Sequence, residues 1–577
     1  MFNRYFQQEL DNLKELGAEF SKAHPAVAPM LSGHSSDPDV DRLLEGVAFL
    51  TALLRQKLDD EFPEIIHELV RLIWPHYLRP LPSASVVAFE PKPILKQSLT
   101  IPAGTQVASK PVEGTACLFQ TCYPVEVHPL KLLETSLVET SGQPPAIRLL
   151  LELSGLNLED WQPQALRFYL AGDFQAASDL YLLLRRYLTR ILIGAEGSDS
   201  MALLTPESLK PVGFGLDEGI IPYPAHSFPG YRSIQEYFML PEKFLFLDLV
   251  GWDQWQNRGK DHRFEIRFEL NQIPTASPSI KAGDFVLGAT PVINIFPYDA
   301  DPIRLDQRRT EYRVSPSGKK DSHYQVYAVE NVIGFVQGTA EERVYAPFEL
   351  YNADPNGAPV YHTKTRNSPV RSGFDVFLSV AYPPASGPPV AETLSIELLC
   401  TNGFLTEEIR TGDIAVPTSS TPEQVAFKNL RPPTSNILPP LGTDLLWRLV
   451  SHLSLNYASL SNTENLQTLL NLYLFKDARK PEAFLANQKR VAGIQSIDSG
   501  GSDRLVSGIM MRGRDIGLEA RHDHFASPGD LFLFGSILEH FLGGYASINT
   551  FTRLTLREVI TGETYQWPAR LGDHPLI

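Results

Sequence analysis

The chain carries partial matches to several catalytic motifs. A serine nucleophile elbow needs Gly-x-Ser-x-Gly, which places the serine on a strained turn, whereas residues 500–504 read Gly-Gly-Ser-Asp-Arg. A zinc-peptidase helix needs two histidines one turn apart, but His67 is followed by Arg71 at the position of the second histidine. These residues therefore complete neither a serine hydrolase signature nor a zinc peptidase signature.

The phosphate-binding motifs are matched in part as well. A P-loop needs a glycine five residues before its Gly-Lys pair, and Arg313 occupies that position relative to Gly318. Residues 213–219, Gly-Phe-Gly-Leu-Asp-Glu-Gly, resemble a dinucleotide fingerprint, but the third glycine comes one residue late. Pro222 and Pro224 oppose the helix that such a fingerprint must open. We therefore predict no nucleotide cofactor.

Histidines and cysteines offer two possible metal sites. His522 and His524 are two residues apart, so on a strand both imidazoles would face the same side and could bind a metal ion. The alternative is that both are ordinary loop residues. Cys117 and Cys122 have no matching second pair, and with Cys400 they fit buried thiols in a reducing compartment. We favour the ordinary readings and predict no catalytic residue, no metal and no cofactor.

Length, composition and charge exclude several classes of protein. The 577 residues leave room for several domains, and 43% hydrophobic with 20% charged residues is typical of a folded globular chain. The net charge of −16 opposes nucleic-acid binding, which depends on clustered lysine and arginine. The N-terminus lacks the apolar core of a signal peptide, and the chain has no apolar run long enough to span a membrane. The sequence predicts a cytoplasmic protein without direct membrane insertion.

The first helix is predicted from an apolar stripe near the N-terminus. Residues spaced three and four apart lie on one helical face. Burying six such side chains contributes on the order of 10–15 kcal/mol before opposing terms. Two alternatives remain for what packs against this stripe: the protein's own next helices, or the groove of another chain. The candidate partner-packing face consists of Phe2, Phe6, Leu10, Leu13, Leu16 and Phe20.

Two further helices are predicted before residue 75. The second starts with Asp37 as N-cap and Pro38 at the first helical position, and it runs to about Asp60. The third starts at Pro63 and ends before Pro75. The second helix carries an apolar face of Val40, Leu43, Leu44, Val47, Leu50, Leu54 and Leu58.

Changes in apolar periodicity and composition divide the chain into four regions. Residues 1–80 are helical, and residues 81–410 alternate in short apolar runs, which predicts two or more β-sandwich or barrel-like modules. Residues 411–440 are rich in proline, serine and threonine and read as a linker or long loop. Residues 441–577 mix helical and strand patterns. The predicted fold class is α+β multidomain.

Long strings in a fixed order resemble one known family. The N-terminal string is FNRYFQQELDNLKELGAEFSKAHPAVAPML, and three others are GYRSIQEYFMLPEKFLFLDL (230–249), TPVINIFPYDADPIRLDQRRTEYRV (290–314) and GDLFLFGSILEHFLGGYASINTF (529–551). Together they are similar to the TssF (VasA/ImpG) family, baseplate wedge subunits of the bacterial type VI secretion system. The resemblance covers nearly the whole chain.

The resemblance implies a structural protein that works by assembly, similar to the wedge proteins of contractile phage baseplates. Two copies of the chain would pair with one TssG, and the wedge would bind TssK and TssE around the VgrG spike hub. The chain would associate with itself within the wedge and lie in the cytoplasm, at the baseplate docked on the inner membrane. It would support assembly of the sheath and tail tube, and contraction of the sheath.

The sequence leaves three classes of function open. A scaffold should form stoichiometric complexes and tolerate substitution of any single histidine, serine or cysteine. An enzyme, such as a hydrolase of unfamiliar geometry, should lose function at one of them. A β-rich carbohydrate or cell-surface binding module should be exported and expose aromatic platforms. The strings at residues 230–238 and 301–312 are either interfaces or ordinary core and strand corners.

Overall fold

The fold is that of a computed structural model of the chain. The N-cap predicted at Asp37 lies outside the residues that the structure describes. The chain forms two compact units: Met1–Leu78 with Pro440–Ser451, and Arg79–Pro439 with His452–Ile577. The described residues are 2–23, 38–140, 142–198, 200–223, 227–274, 279–318, 321–348, 359–368, 373–382, 391–441, 445–454, 462–475, 481–506 and 509–572.

Helices begin the chain and recur between its strands. In the described residues they are α1 (Phe2–Ala23), α2 (Pro38–Ile73), α3 (Phe174–Arg186), α4 (Pro229–Met239), α5 (Leu445–Ser454), α6 (Thr463–Leu472), α7 (Pro481–Ala492) and α8 (Pro528–Gly543). No helix among the described residues has the length and hydropathy of a membrane span.

The first unit is built on α1 and α2, which pack against each other. The prediction of separate second and third helices, with a break between Asp60 and Pro63, was wrong, because α2 is one helix of 36 residues that passes through Pro63. A proline removes one backbone hydrogen bond from a helix, and strong helix formers on both sides, such as Leu58 and Glu64, favour its continuation. After Ile73 the chain turns through a short 3₁₀ helix, Pro75–Leu78.

The second unit opens with a six-stranded barrel-like sheet. Its two outer strands meet, because Asn429 accepts the amide of Ile414 through Oδ1 at 2.9 Å and that of Gly412 through its carbonyl at 3.0 Å. Val87, Phe119 and Val292 are among the fully buried side chains of its core. In sheet order the strands are β24 (Ile414–Pro417), β3 (Gln106–Ser109), β4 (Leu118–Thr121), β15 (Ala289–Ile293), β1 (Ala84–Pro91) and β25 (Val425–Asn429).

The segment predicted as a linker or long loop differs from that description. Residues 411–440 contribute β24 and β25 to the barrel-like sheet, where β25 pairs with β1 along five residues. Both strands are short and bounded by proline and threonine, so their composition resembles a loop. Their pairing partners lie more than 300 residues earlier, for example Val425 opposite Pro91, and no local pattern can reveal such a contact.

A β-sandwich follows in the chain, made of a five-stranded and a four-stranded sheet. Phe268 of the first sheet lies 6.3 Å from Phe168 of the second between ring centroids, so the two sheets share an aromatic core. The strands in sheet order are β10 (Ala202–Leu204), β9 (Leu188–Ala195), β13 (Arg263–Leu270), β7 (Ala146–Leu153) and β6 (Leu130–Val138), then β11 (Leu209–Val212), β12 (Phe246–Val250), β8 (Ala165–Leu170) and β14 (Phe285–Leu287).

Two other sheets complete the β-rich region. The strands β2 (Leu99–Ile101) and β5 (Val125–Val127) form a small two-stranded sheet, and an eight-stranded sheet comes from later residues. The larger sheet contains β16 (Phe296–Asp299), β23 (Glu392–Thr401), β19 (Gln325–Val336), β20 (Glu342–Pro347), β21 (Val360–Asn367), β22 (Phe374–Ala381) and β18 (Tyr312–Val314), with β17 (Ile303–Leu305) also paired to β23. The predicted sandwich and barrel-like modules are thus present.

The C-terminal part combines a sheet with a buried helix. The strands are β26 (Ile494–Val506), β27 (Ile509–Ala520), β28 (Thr550–Glu558), β29 (Thr564–Gln566) and β30 (Arg570–Leu571). Since β27 and β28 are parallel, α8 forms the connection between them. It is apolar on nearly all sides and almost wholly buried, against α3, α4 and β28. The predicted α+β multidomain class is confirmed, and the four predicted regions do not coincide with the two compact units.

Candidate partner interface

The predicted apolar stripe lies on α1, and α2 covers only part of it. Phe6, Leu10 and Leu13 are half-buried, while Leu16 is 60% exposed and Phe20 is 51% exposed. Phe2 lies on the same helix, and its side chain is outside the described residues. Packing therefore covers one edge of the stripe more fully than the other, where Leu16 and Phe20 are more than half exposed.

A second apolar strip lies on α2, opposite the face that is packed. The packed face uses Ala48, Ala52, Ile66 and Val70, all buried. Leu43 is 69% exposed, Val47 43%, Leu50 62% and Leu54 65%. These last four residues follow each other at spacings of three and four, so they form one continuous strip along the helix. The apolar face predicted for this region is thus largely the exposed face.

The alanine spacing was the signal that could have distinguished the two faces. Ala48 and Ala52 are one turn apart and small, and small residues allow two helix backbones to approach closely. Because leucine contributes more to hydropathy than alanine, a periodicity count assigns the core to the leucines. Sequence reasoning therefore missed Leu43, Leu50 and Leu54 as candidate interface residues.

The first unit has a third exposed apolar site on α5. Trp447 is 71% exposed and Val450 is 47% exposed, although Leu445 and Leu449 of the same helix are buried. Arg448, next to Trp447, donates a hydrogen bond to the Tyr77 hydroxyl at 2.9 Å. Large apolar side chains exposed at this density mark interaction surfaces more often than solvated faces. We use the name apolar strips for the exposed side chains of α1 and α2 only, without those of α5. They are Leu16, Phe20, Leu43, Val47, Leu50 and Leu54.

The glycine-rich segment 213–219 is closed by its own carboxylate. Glu218 Oε2 accepts the amides of Gly213 at 2.7 Å and Gly215 at 2.8 Å. Amides of this kind bind phosphate in nucleotide sites, and here they are already occupied. Lys243 donates to the Glu218 carbonyl at 2.9 Å and pairs with the buried Glu236. The segment is therefore a structural loop.

The histidine pair near residue 522 lies in a short 3₁₀ turn rather than on a strand. His522 Nδ1 is 2.9 Å from Glu558, Asp523 pairs with Arg521, and His524 contacts the Lys489 carbonyl. Among the described residues, no group of three histidine, cysteine or acidic side chains could hold a metal ion. Each side chain of this turn has a structural partner.

The three cysteines are free thiols, with Cys117 and Cys400 buried and Cys122 half-buried. Burial raises the pKa of Cys117 to about 11, against a smaller lowering by its hydrogen bond with Ser109, and it raises the pKa of Cys400 to about 12. Burial likewise raises the pKa of Cys122. Because the thiolate is the nucleophilic form, thiols with these pKa values are poor nucleophiles at neutral pH.

The two strings left open between interface and core separate in the structure. Residues 230–238 lie in α4, where Ile234 and Tyr237 are fully buried. Tyr237 donates to Asp530 at 2.7 Å, which ties α4 to α8. Residues 301–312 are mostly exposed and stay a candidate contact.

Comparison with known proteins places these features in a family. The family model described as "Type VI secretion system, TssF" matches residues 1–574. A Pseudomonas aeruginosa protein described as "Type VI secretion system component TssF1" is 30% identical, over 99% of this chain and 98% of that protein.

Two solved assemblies contain chains with this fold. One is the TssK-TssF-TssG baseplate subcomplex of the type VI secretion system; its matching chain has 29% identity and a TM-score of 0.79, over 93% of this chain and 99% of that one. The other is described as the baseplate complex from the type VI secretion system, with 26% identity and a TM-score of 0.63 over the full length of both chains.

Proposed function

The chain belongs to the TssF family and is a component of the type VI secretion system baseplate, and we propose that it acts there as a structural wedge subunit without catalytic activity. The related chain was solved in a subcomplex with TssK and TssG. We extend that association to this chain, with two copies per TssG, self-association within the wedge, and further contacts to TssE and the VgrG spike hub. The baseplate would lie in the cytoplasm, docked on the inner membrane.

The wedge would support assembly of the sheath and tail tube, and its repacking would accompany sheath contraction. Work of this kind requires interfaces with two arrangements of comparable stability. A wedge subunit therefore needs docking surfaces rather than a reactive centre. The incomplete dinucleotide motif supports this, since Glu218 occupies the amides of Gly213 and Gly215 in structural bonds.

The apolar strips are the single observation that carries the proposal. Six side chains that are each 43% to 69% exposed lie on two helices that already pack together. Covering them by another helix contributes roughly 1–2 kcal/mol per side chain at the usual value per area. We propose TssG as the covering partner, bound in the helix-in-groove manner. The side chains are Leu16, Phe20, Leu43, Val47, Leu50 and Leu54.

Co-expression with the TssG-like chain tests the proposal. The mass of the purified complex in solution should correspond to two copies of this chain per TssG. A variant with Leu43→Gln and Leu50→Gln should co-purify with several-fold less TssG, because two exposed apolar contacts are lost while the folded core is unchanged. The matched control is Leu203→Gln with Leu216→Gln, which are 56% and 67% exposed in the second unit.

The outcomes separate the alternatives clearly. Equal loss of TssG in both variants would mean that general solubility, and not the apolar strips, governs co-purification. A monomer that does not bind TssG would contradict the wedge proposal and would favour an enzyme or a surface-binding module instead. A stable complex of another stoichiometry would retain the partner and overturn only the two-to-one ratio.

A further inference from the structure

A cleft of ≈ 770 Å³ opens in the second unit, beside the barrel-like sheet and the sandwich. Its lining includes residues of β1 and β25 from the barrel-like sheet, and of β6 and β14 from the sandwich. Its floor is apolar and includes Phe89, Leu95 and Phe285, each almost fully buried. A cleft of this size accommodates a short stretch of peptide.

The charge of the cleft is opposite to that of the chain. Glu90 and Glu126 are its only carboxylates among the described lining residues, so the lining carries an excess of three positive charges. The whole chain has a net charge of −16. Local concentration of one sign in a low-dielectric cleft attracts and orients a group of the other sign. The cations are Lys92, Lys96, Lys131, Arg167 and Lys428.

Three of these cations already have partners. Lys428 pairs with Glu90 at 2.8 Å, and Arg167 holds Asp248 through two bonds of 2.7 and 2.8 Å. Lys92 donates to the Glu423 carbonyl at 2.8 Å. Their charges contribute to the field of the cleft but are not free to form a new pair.

Lys96 and Lys131 are the two cations left available. Both are exposed, and no carboxylate of the described residues lies within ion-pair distance of either one. Lys96 extends over Gly155, where an added Cβ would lie 3.1 Å from Lys96 Cδ and 3.3 Å from Nζ. The backbone of Gly155, with φ +83°, also disfavours a side chain. The glycine therefore keeps open the path along which this ammonium reaches the cleft.

We infer that this cleft binds an acidic segment of a partner protein, with an apolar side chain on the floor and carboxylates paired to Lys96 and Lys131. Charge complementarity and the apolar floor together favour a peptide over a polyphosphate. Of the lining cations only Lys96 and Lys131 are available, whereas nucleic-acid binding depends on many clustered lysines and arginines. The inference relies on the proposed function only in choosing which partners to test.

The first experiment measures peptide binding by the full chain. The probe is a fluorescein-labelled peptide in which glutamates alternate with leucines, and its comparison peptide has glutamines instead. We expect anisotropy to show binding of the acidic peptide that weakens about ten-fold or more in a variant with Lys96→Glu and Lys131→Glu. The matched control is Lys210→Glu with Lys260→Glu, two exposed lysines away from the cleft. Equal binding of both peptides, or equal loss in both variants, would overturn the inference.

The second experiment locates the natural partner in the co-purified complex. A carbodiimide links a lysine directly to a carboxylate in contact, so peptides containing Lys96 or Lys131 should be joined to an acidic segment of TssG or TssK. Links from Lys210 and Lys260 alone would count against the cleft, whereas failure of the complex to form would count against the wedge proposal. A labelled oligonucleotide that binds the full chain more tightly than the acidic peptide would assign the cleft to nucleic acid.

Discussion

Two buried carboxylates of the second unit, Asp530 and Glu236, are each paired with a cation, which is the condition under which buried charges can be retained. Asp530 is fully buried and accepts bonds from the Tyr237 hydroxyl at 2.7 Å, from Arg490 at 2.9 Å and from the Ala526 amide at 3.0 Å. Glu236 is buried as well and accepts the amide of Ile220 at 2.7 Å. A buried ion pair adds little net stability but strongly opposes any structure that separates it. These residues fix which helices pack together.

His540 gives the second unit a predictable response to acid. It stacks on Phe214 with ring centroids 4.5 Å apart, and its Nε2 lies 2.9 Å from the guanidinium of Arg570. Burial, and then the charge of Arg570, lower the pKa of His540 to about 3. In the unfolded chain His540 has the ordinary histidine pKa of about 6.5. Below that pH the unfolded chain binds a proton at His540, whereas the folded chain does not. Stability is therefore lost as the pH falls from about 6.5 towards 3.

A His540→Gln variant should lose this part of the pH dependence. Its amide oxygen can still accept from Arg570, yet it does not titrate. We expect the free energy of unfolding of the wild type to fall by about 2 kcal/mol more than that of the variant between pH 7 and pH 5. Urea unfolding at both pH values measures the difference. Substitution of the exposed His262 by glutamine serves as control, and the same flattening there would refute the assignment.

At the scale of elements, the approach of α8 to α3 depends on a glycine. An added Cβ at Gly529 would overlap the backbone of Ser178 and Asp179. Since the obstacle is backbone, the helices must separate, and we expect Gly529→Ala to lower the free energy of unfolding by about 1–3 kcal/mol.

Gly46→Ala is the control for this substitution. Gly46 lies within α2, and its added Cβ would meet no atom within 4 Å. Alanine there should stabilise the helix by about 0.5–1 kcal/mol. Thermal unfolding of the two variants should shift in opposite directions, and a neutral Gly529→Ala would show that the helices have room to adjust.

Elements with a strong local pattern were predictable, and those defined by distant partners were not. The long apolar run of α8 and the alternation in β13 indicate their structures directly. The segment that holds β24 and β25 is short, rich in proline and paired to strands over 300 residues away, so it resembled a linker.

The candidate interface was predictable only in part for a related reason. Periodicity identifies an apolar face, but it does not tell which of two apolar faces a neighbour covers. On α1 the predicted stripe proved half covered, and on α2 the leucines of the predicted face proved exposed. The charge of the cleft was also beyond sequence reasoning, because Lys96, Lys131 and Lys428 meet only in the fold.

At the scale of the whole molecule, folding and assembly depend on different parts of the chain. The barrel-like core and the buried helix α8 both lie in the second unit, and each consists of residues of that unit alone. The apolar strips lie in the first unit. A change confined to α1 should therefore affect partner binding more than the main unfolding transition.

Removal of residues 1–22 is the direct test of this separation. We expect the truncated chain to keep the thermal unfolding midpoint of the second unit and to co-purify with much less TssG. Truncation also uncovers the part of α2 that α1 packs against, so a second variant, Leu16→Gln with Phe20→Gln, changes only exposed positions. Weaker co-purification in both variants would assign the effect to the exposed edge of α1. Full-strength assembly by the truncated chain would refute a role for α1 in the interface.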